Sequence, residues 1–403
     1  MKASVKGQAL LLLAVNGLFV LASALSGTFL NVYLWKSRQD YLMIGWFTLA
    51  QQLALGLSFW LAGKWVKEHN KMNALRLGIA VSGLFYMLVL WLGGKAVYYI
   101  WPLGCILGIA IGLFWLAFNI VYFEITDADN RDFFNGWIGL LGSLTGIIGP
   151  WISGWMISLL HGERGYRVVF IISLCIYAVA VVLSFFLKKR KTEGVYQWLE
   201  PWKQLRMKHS HWRPAAVGLV FQGLREGVFS FLIGLLVYIA AKEESKLGQY
   251  MLITSSVSLV SYWAAGKWFK PKFRLAGMLG GSIMLVVVIA PLLWKVSYST
   301  LLIMGIGTSL FIPLYMLPMV STSFDLMGES KASVDKRVEL VVLRELSLMV
   351  GRVVGTLVFV AVLSVSRSPG TVTWLLLGLG TAPVGSWLFL RHILPHGKEQ
   401  SSS

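Results

Sequence analysis

The sequence predicts an all-α membrane protein with twelve transmembrane helices, arranged as two pseudo-symmetric six-helix bundles. Three observations support this prediction. The chain is 57% apolar and 13% charged, whereas a soluble protein carries about a quarter charged residues. Its mean hydropathy is +0.70, and its charges are separated by long uncharged stretches. One tetrapeptide also recurs, unchanged, at equivalent places in the two halves of the chain.

Uncharged stretches identify the individual spans. Ten of them are about as long as a spanning helix needs, which is roughly 20 residues. They are 7–35, 41–63, 77–94, 96–123, 133–160, 168–187, 247–266, 275–294, 296–324 and 368–390. Two further apolar stretches, 214–241 and 340–366, contain charges and complete the set of twelve. A soluble protein with buried helices would not produce so many uncharged runs, and the strands of a β-barrel are only about ten residues long.

The positions of Lys and Arg predict the orientation. The loops on the side of the termini hold 24 of these residues, and the opposite loops hold 9. Because cytoplasmic loops are enriched in Lys and Arg, we expect a multi-pass protein of a bacterial cell membrane with both termini in the cytoplasm. This topology explains most of the net charge of +18, so we expect membrane lipids as partners and no nucleic acid.

The repeat divides the chain. The tetrapeptide Ala62–Trp65 recurs as Ala265–Trp268, and each copy ends an apolar run and opens a short basic loop. Between the copies lies the longest hydrophilic segment, which we expect to be a cytoplasmic linker with an amphipathic helix on the membrane surface. The expected organisation is a first six-helix half, the linker, a second six-helix half and a polar tail, with bounds 1–187, 188–213, 214–395 and 396–403.

With these features the chain resembles the major facilitator superfamily over nearly its whole length. The resemblance implies two six-helix halves that rock about a central substrate site, and a glycine-plus-basic gating motif after the second helix of each half. The matching residues are Gly63, Lys64, Lys67, Glu68 and Lys71, with Gly266 and Lys267 in the second copy. The family usually has an acidic residue where this chain has Lys67, so Glu68 is the alternative gating acid. The other interpretation is that these basic residues only set the topology.

The fifth span contains a strip of small residues. Its members are Gly142, Gly146, Gly149, Pro150 and Gly154. Glycines at this spacing let another helix pack closely, and Pro150 allows a kink. The strip resembles the antiporter motif of drug-efflux members of the family, which favours export. Ordinary small-residue packing is the alternative interpretation.

Five charged residues lie inside predicted spans, all in the second half: Arg225, Glu226, Arg344, Glu345 and Arg352. A charge at membrane depth is costly unless it is paired or hydrated, so these are candidate functional residues. At 1.5 Å per residue, Glu226 and Arg352 both lie about 20 Å from the cytoplasmic ends of their helices, and Glu345 about 10 Å. We therefore expect a Glu226–Arg352 pair near the midplane, with Glu345 and Arg344 closer to the cytoplasm.

The expected pair predicts proton coupling. Burial disfavours a charged carboxyl and a nearby arginine favours it, so a cavity that opens alternately to the two sides can change the protonation of Glu226. Glu345 is the second candidate for this role. A permanent salt bridge that holds the two helices together is the alternative interpretation.

The family resemblance also implies a substrate cavity lined by the first, fourth, seventh and tenth spans. Its candidate residues are Asn16, Asn31, Trp115, Asn119, Gln222, Tyr315 and Met316. An apolar, aromatic and sparsely polar lining suits a hydrophobic or amphipathic compound better than a sugar.

The sequence thus predicts a secondary transporter and not an enzyme, with proton-coupled export of a small amphipathic or hydrophobic compound as the first hypothesis. Nutrient uptake and movement of a lipid-linked molecule are alternatives within the same fold. A non-transporting sensor or scaffold is the alternative from another class. No Walker-type loop indicates an ATP motor, and no Cys/His spacing indicates a metal site. We expect a monomer without cofactor or metal, whose partners are a small-molecule substrate, protons and lipids.

Overall fold

The computed structural model describes residues 3–125, 131–189, 194–208, 210–268 and 273–393. The predicted tail and residues 190–193 and 209 of the predicted linker lie outside the described residues. In the described part the chain is almost entirely helical and contains no β-strand. Its helices are α1 (Ala3–Arg38), α2 (Tyr41–Glu68), α3 (Lys71–Leu92), α4 (Ile100–Ile125), α5 (Arg131–Leu160), α6 (Glu163–Ser184), α7 (Glu200–Arg206), α8 (Trp212–Ala241), α9 (Glu244–Trp268), α10 (Arg274–Val287), α11 (Pro291–Trp294), α12 (Tyr298–Gly328), α13 (Lys331–Asp335), α14 (Arg337–Val365), α15 (Pro369–Gly380) and α16 (Ala382–Leu390).

Eleven segments of the described chain are long and apolar enough to cross a membrane. The remaining predicted span, 247–266, is the eighth in chain order and lies within α9, which has 25 residues and a larger share of Ser and Thr. The ninth and twelfth spans each consist of two consecutive helices, α10 with α11 and α15 with α16. Pro291 and Pro383 stand in the first turn of α11 and of α16, where a missing N–H costs little. The predicted all-α membrane fold is confirmed, and α9 is consistent with a twelfth span.

The chain forms two compact units. Unit 1 is Met1–Trp198 with Lys242–Leu252, and unit 2 is Leu199–Ala241 with Ile253–Ser403. The division after Trp198 falls inside the segment that the sequence predicts as a linker. Residues 242–252 belong to unit 1 although they follow α8 in sequence, because the start of α9 packs on α5. A Cβ atom on Gly154 of α5 would lie 2.6 Å from the carbonyl oxygen of Glu244, so only glycine permits this approach.

The two units repeat one packing pattern. In unit 1, α1 packs against α5 and α6, and α3 packs against α4 and α6. In unit 2, α8 packs against α14 and α16, and α10 packs against α12 and α16. These are the same spans counted from the start of each half. The packing therefore has the pseudo-symmetry that the repeated tetrapeptide predicts.

Glycines on both helices allow α8 and α14 to pack closely. A Cβ atom on Gly223 would collide with the carbonyl oxygen of Leu348, and one on Gly351 would collide with that of Val220. Gly227 and Gly355 make equally close approaches one turn further along. Small residues at such a crossing bring helix backbones together in a membrane. The close crossing places Glu226 of α8 beside Arg352 of α14.

A buried carboxylate anchors the short helix α7 within unit 2. Glu200 accepts hydrogen bonds from Lys336 Nζ and Gln204 Nε2, each at 2.8 Å, and its side chain is 2% exposed. Burial by itself would raise the pKa of Glu200, but the hydrogen bonds from Lys336 and Gln204 outweigh burial, and the pKa lies below its ordinary value. Glu200 is therefore ionised at neutral pH, and its ion pair holds the end of the linker on α14's amino-terminal side.

Candidate functional site

A charge cluster inside unit 2 joins α8 to α14. Arg352 Nη2 and Nε lie 3.1 and 3.3 Å from Glu226 Oε2, and Arg352 Nη1 lies 2.6 Å from Glu345 Oε1. One guanidinium thus bridges two carboxylates. The structure brings together the pair that helix depth predicts, and it adds Glu345, which lies two turns before Arg352 on the same face of α14.

Gln222 completes this cluster. Its Nε2 donates to Glu226 Oε1 at 2.6 Å, one turn earlier on α8. The sequence predicts a place for Gln222 in a substrate cavity, whereas its side chain here binds the candidate proton site. The i, i+4 spacing of Gln222 and Glu226 is the signal that predicts such a contact. Both oxygens of Glu226 are therefore engaged, yet its side chain remains 27% exposed, against 11% for Glu345.

The other two arginines inside these helices do not join the hydrogen-bonded cluster. The Arg225 guanidinium lies 4.3 Å from the centroid of the Phe229 ring. The Arg344 guanidinium lies 6.0 Å from the centroid of the Phe324 ring. Within the described residues, neither Arg225 Nε nor Arg344 Nε has an acceptor. The sequence predicts one charge network that includes Arg225 and Arg344, but the hydrogen bonds of the described residues do not connect these two arginines to Glu226 and Arg352.

The candidate cavity residues are divided between the units. In unit 2, Tyr315 is buried and its hydroxyl lies 2.8 Å from Ser386 Oγ. Met316 is partly buried and packs against the apolar core cluster to which Tyr315 belongs. In unit 1, the candidate residues are Asn16, Asn31, Trp115 and Asn119, on α1 and α4. The Oδ1 atoms of Asn16 and Asn31 are buried and, within the described residues, have no hydrogen-bond partner.

Trp115 stands in an aromatic cluster of unit 1. Its ring makes edge contacts with Phe19, Phe114 and Phe118, with centroid distances of 6.4, 5.4 and 5.6 Å. Edge-to-face contacts of this kind fix the orientation of the rings. Trp115 is therefore held by its neighbours on α1 and α4, with part of its surface still accessible.

The first copy of the gating motif contacts the linker. A Cβ atom on Gly63 would lie 2.6 Å from the Tyr196 hydroxyl, so the phenol ring rests on the glycine. The Tyr196 N–H donates to Glu68 Oε1 at 3.0 Å, and Lys64 Nζ lies 3.9 Å from Glu68 Oε2. Glu68, the alternative gating acid, thus binds the linker backbone. Lys67 is buried in the same region.

Lys71, the last residue of this first copy, begins α3. It is fully buried and pairs with Glu124 near the end of α4. In the sequence, Glu124 is the first charged residue after the fourth uncharged stretch, 96–123, and nothing there predicts its partner. This ion pair links the start of α3 to the end of α4 within unit 1.

The second copy of the motif has different surroundings. Among the described residues, a Cβ atom on Gly266 would meet no atom within 4 Å. Lys267 is exposed, and its Nζ lies 5.2 Å from the Trp263 ring centroid and 6.0 Å from that of Trp268. Residues 269–272, which follow this copy, lie outside the described residues. Identical tetrapeptides therefore occupy a packed place in unit 1 and an open one in unit 2.

These two glycines form a matched pair for a test of the linker contact. We expect Gly63→Ala to destabilise the protein by about 1–3 kcal/mol, the usual cost of overpacking, and to release the linker to protease. We expect Gly266→Ala to be neutral or stabilising by up to about 1 kcal/mol, because alanine favours helix. Thermal unfolding and limited proteolysis of segment 188–213 measure both effects. Equal behaviour of the two variants would contradict the contact between Gly63 and Tyr196.

The glycine strip of α5 is used in part for close packing. A Cβ atom on Gly149 would lie 2.9 Å from the Cβ of Ala24 on α1, and Gly154 receives the start of α9. A Cβ atom on Gly142 would meet nothing within 4 Å in the part of the chain that the structure describes. Pro150 lies inside the helix, and its carbonyl oxygen lies near Gly248. The second half of the strip therefore packs against two neighbours, α1 and the start of α9.

One further ionic cluster was not predicted from the sequence. Glu244 Oε1, at the start of α9, accepts from Lys36 Nζ at 2.8 Å and from the Tyr166 hydroxyl at 2.9 Å. Ser245 N–H also donates to Ser158 Oγ at 3.0 Å. These bonds hold the start of α9 on α1, α5 and α6. A carboxylate beside a span is ordinary in a loop, so the sequence contains no signal for this long-range contact.

Comparison with known proteins identifies the family of this chain. The chain belongs to the Major Facilitator Superfamily, whose family model matches residues 12–334. An uncharacterized protein of Bacillus subtilis (strain 168), YqgE, is 37% identical over 390 residues, which cover 97% of this chain and 90% of that protein. An uncharacterized protein from the sodM 3' region of Geobacillus stearothermophilus is 40% identical over 185 residues, which cover 46% of this chain and 86% of that protein.

Solved structures share the fold. The human organic anion transporter MFSD10 (TETRAN) superposes with a TM-score of 0.66 at 14% identity, covering 96% of this chain and 99% of that chain. A bacterial homologue of the iron transporter ferroportin, in an outward-facing state with soaked iron, superposes with a TM-score of 0.64 at 12% identity, covering 95% and 98%. At these identities the likeness concerns the fold alone. Family and fold together make this chain a multi-pass membrane protein and a secondary transporter with a small-molecule substrate.

Proposed function

We propose that the protein exports a small amphipathic or hydrophobic compound in exchange for protons, by alternating access. The observation on which this proposal chiefly depends is that one partly buried arginine, Arg352, is shared by two carboxylates. Glu226 is the proton-binding residue of this proposal, and Glu345 keeps the arginine paired.

The charge count of the cluster suits one proton. Glu226, Glu345 and Arg352 together carry a charge of −1 when both carboxyls are ionised, and one proton makes the group neutral. When Glu226 takes that proton, Arg352 keeps its 2.6 Å bond to Glu345 and is not left as an unpaired buried charge. A purely structural salt bridge needs only one carboxylate for each arginine. The greater exposure of Glu226 favours it over Glu345 as the group that exchanges protons.

The substrate class is proposed from the candidate cavity residues. In unit 1, Trp115 offers partly accessible aromatic surface, and Asn16 and Asn31 offer buried amide oxygens without a partner in the described part of the chain. Few polar groups among apolar surface suit an amphipathic organic compound. Human MFSD10, whose fold is similar, is described as an organic anion transporter, and an organic substrate is what we propose here.

The direction is proposed from α5. Gly149 and Gly154 pack closely against α1 and the start of α9, and Pro150 lies inside the helix between them. This arrangement resembles the antiporter motif of drug-efflux members of the family, and it supports export. The positive-inside bias of the loops supports cytoplasmic termini in a cell membrane.

Flux in reconstituted vesicles tests the proposal. Compounds that raise the unfolding temperature of the purified protein are first selected, because a ligand of the folded state stabilises it by mass action. We expect a pH gradient to drive a selected compound out of the compartment that corresponds to the cytoplasm, while a pH-sensitive dye records proton movement the other way. Flux in the same direction as the protons would indicate uptake. Flux without any response to the gradient would contradict proton coupling, and absence of flux for every selected compound would favour a sensor or scaffold.

A further inference from the structure

Arg225 on α8 is a buried cation to which, among the described residues, no carboxylate is hydrogen-bonded. The residue is 8% exposed, and its Nε is buried without an acceptor in the described part of the chain. Its guanidinium lies against an aromatic ring, 4.3 Å from the Phe229 centroid. A ring face replaces only part of the hydration that a guanidinium loses on burial. Arg225 therefore has hydrogen-bond donors available for an anion.

The neighbouring carboxylate is already occupied. Glu226 Oε2 binds Arg352 and Glu226 Oε1 accepts from Gln222. Within the predicted spans 214–241 and 340–366, which belong to α8 and α14, there are three arginines and two glutamates, an excess of one positive charge. The charge balance of these two helices thus calls for an added anion.

Arg344 is a weaker candidate than Arg225 for binding the added anion. It is half-buried, and it lies two turns nearer the amino-terminal end of α14 than Arg352. Arg225 is next to Glu226 in sequence and is almost fully buried. It is therefore the arginine beside the candidate proton site that, within the described residues, is buried without a hydrogen-bonded carboxylate.

We propose that Arg225 binds the negatively charged group of the transported compound, so that the substrate is an amphipathic organic anion with a carboxylate, sulfonate or phosphate group. This proposal depends on the proposed function, because the ligand of Arg225 is the compound that is transported. A guanidinium donates two parallel hydrogen bonds to such oxygen pairs, and Phe229 supports the guanidinium plane. The membrane potential, negative inside, drives an anion outward, in agreement with export.

The first test needs no ligand. If Arg225 is a binding residue without a hydrogen-bonded carboxylate in the empty protein, Arg225→Gln should raise the unfolding temperature, by roughly 2–4 °C for a modest gain in stability. The matched variant Arg352→Gln removes a cation that two carboxylates bind, and it should lower the unfolding temperature. A fall in the unfolding temperature of Arg225→Gln would show that Arg225 stabilises the fold, and it would overturn the proposal.

The second test uses matched probes. Naphthalene carboxylate, naphthalene sulfonate and naphthyl phosphate are compared with uncharged naphthalene carboxamide for their stabilisation of the purified protein. We expect at least one anion to stabilise the wild type and the amide not to do so. Arg225→Gln should weaken anion binding by about tenfold or more, whereas Arg225→Lys, which keeps the charge, should retain part of it. Equal stabilisation by the amide, an unchanged response of Arg225→Gln, or no response to any of the anions would contradict the proposal.

The outcomes separate this proposal from the proposed function. Anion binding that depends on Arg225, without any effect of a pH gradient on flux, would leave the anion site in place and remove proton coupling. Proton-coupled flux of an uncharged compound that is insensitive to Arg225→Gln would support proton coupling and overturn the anion site. The Arg344→Gln variant serves as a control in both tests, because it removes a half-buried arginine that lies outside the hydrogen-bonded Glu226–Arg352 cluster.

Discussion

Proton-driven transport is expected to disappear when Glu226 is replaced by glutamine. The new amide would still accept a hydrogen bond from Arg352 and fill the same volume, but it cannot gain or lose a proton. In vesicles, the stimulation of flux by a pH gradient and the accompanying proton movement should both be abolished. Exchange of labelled for unlabelled substrate should continue, because exchange requires no net proton movement. The measurement is therefore a pair of assays on one variant, gradient-driven flux and exchange.

Two glutamates serve as controls for this variant. Glu345→Gln removes the second carboxylate of the cluster and should reduce gradient-driven flux less than Glu226→Gln, since Glu345 is the less exposed of the two. Glu163→Gln changes an exposed carboxylate at the start of α6 and should have no effect. Gradient-driven flux that survives in Glu226→Gln would show that the Glu226–Arg352 contact is only structural.

The largest effect on stability is expected for Arg352→Gln. Removal of the guanidinium leaves Glu226 and Glu345 as two carboxylates that have lost their shared cation, and the loss of one partner from a buried ion pair costs ~3–5 kcal/mol. We expect a large fall in the midpoint of thermal unfolding in detergent. Acidification should recover part of this loss, because protonation removes the unpaired charges.

A second-site variant tests the cause of that loss. Adding Glu226→Gln to Arg352→Gln removes one of the unpaired carboxylates and should restore part of the stability, so the two substitutions should be less than additive. Arg344→Gln, on the same helix but without an ion pair in the described residues, should change stability little. A small effect of Arg352→Gln, or additive losses in the double variant, would contradict the shared-arginine arrangement.

Helix periodicity was sufficient to predict the centre of the candidate site. Depth along a regular helix depends only on residue number, so Glu226 and Arg352 could be placed at one level from their positions in the chain. The contact of Gln222 with Glu226 was predictable from i, i+4 spacing, but the family resemblance placed Gln222 in the substrate cavity. Whether Arg225 would also join the cluster depended on which way its side chain turns, and periodicity does not determine that.

The repeated tetrapeptide shows the limit of sequence identity within one chain. Ala62–Trp65 and Ala265–Trp268 are identical, yet Gly63 is covered by Tyr196 and Gly266 is open. The difference comes from a distant segment, since the described linker residues pack on the first copy. A local sequence pattern contains no information about which remote segment will cover it.

The sequence by itself determined the membrane environment, the helical class, the two-half organisation and the level of the buried charges. These follow from local physics: the cost of charge in lipid, the length of a span and the rise of a helix. Only the tertiary structure decided that Arg352 is shared by two carboxylates, that Arg225 lies against a ring, and that the start of α9 joins unit 1 through Glu244. Those outcomes depend on contacts between residues far apart in sequence, where glycines such as Gly351 and Gly154 set how closely backbones approach.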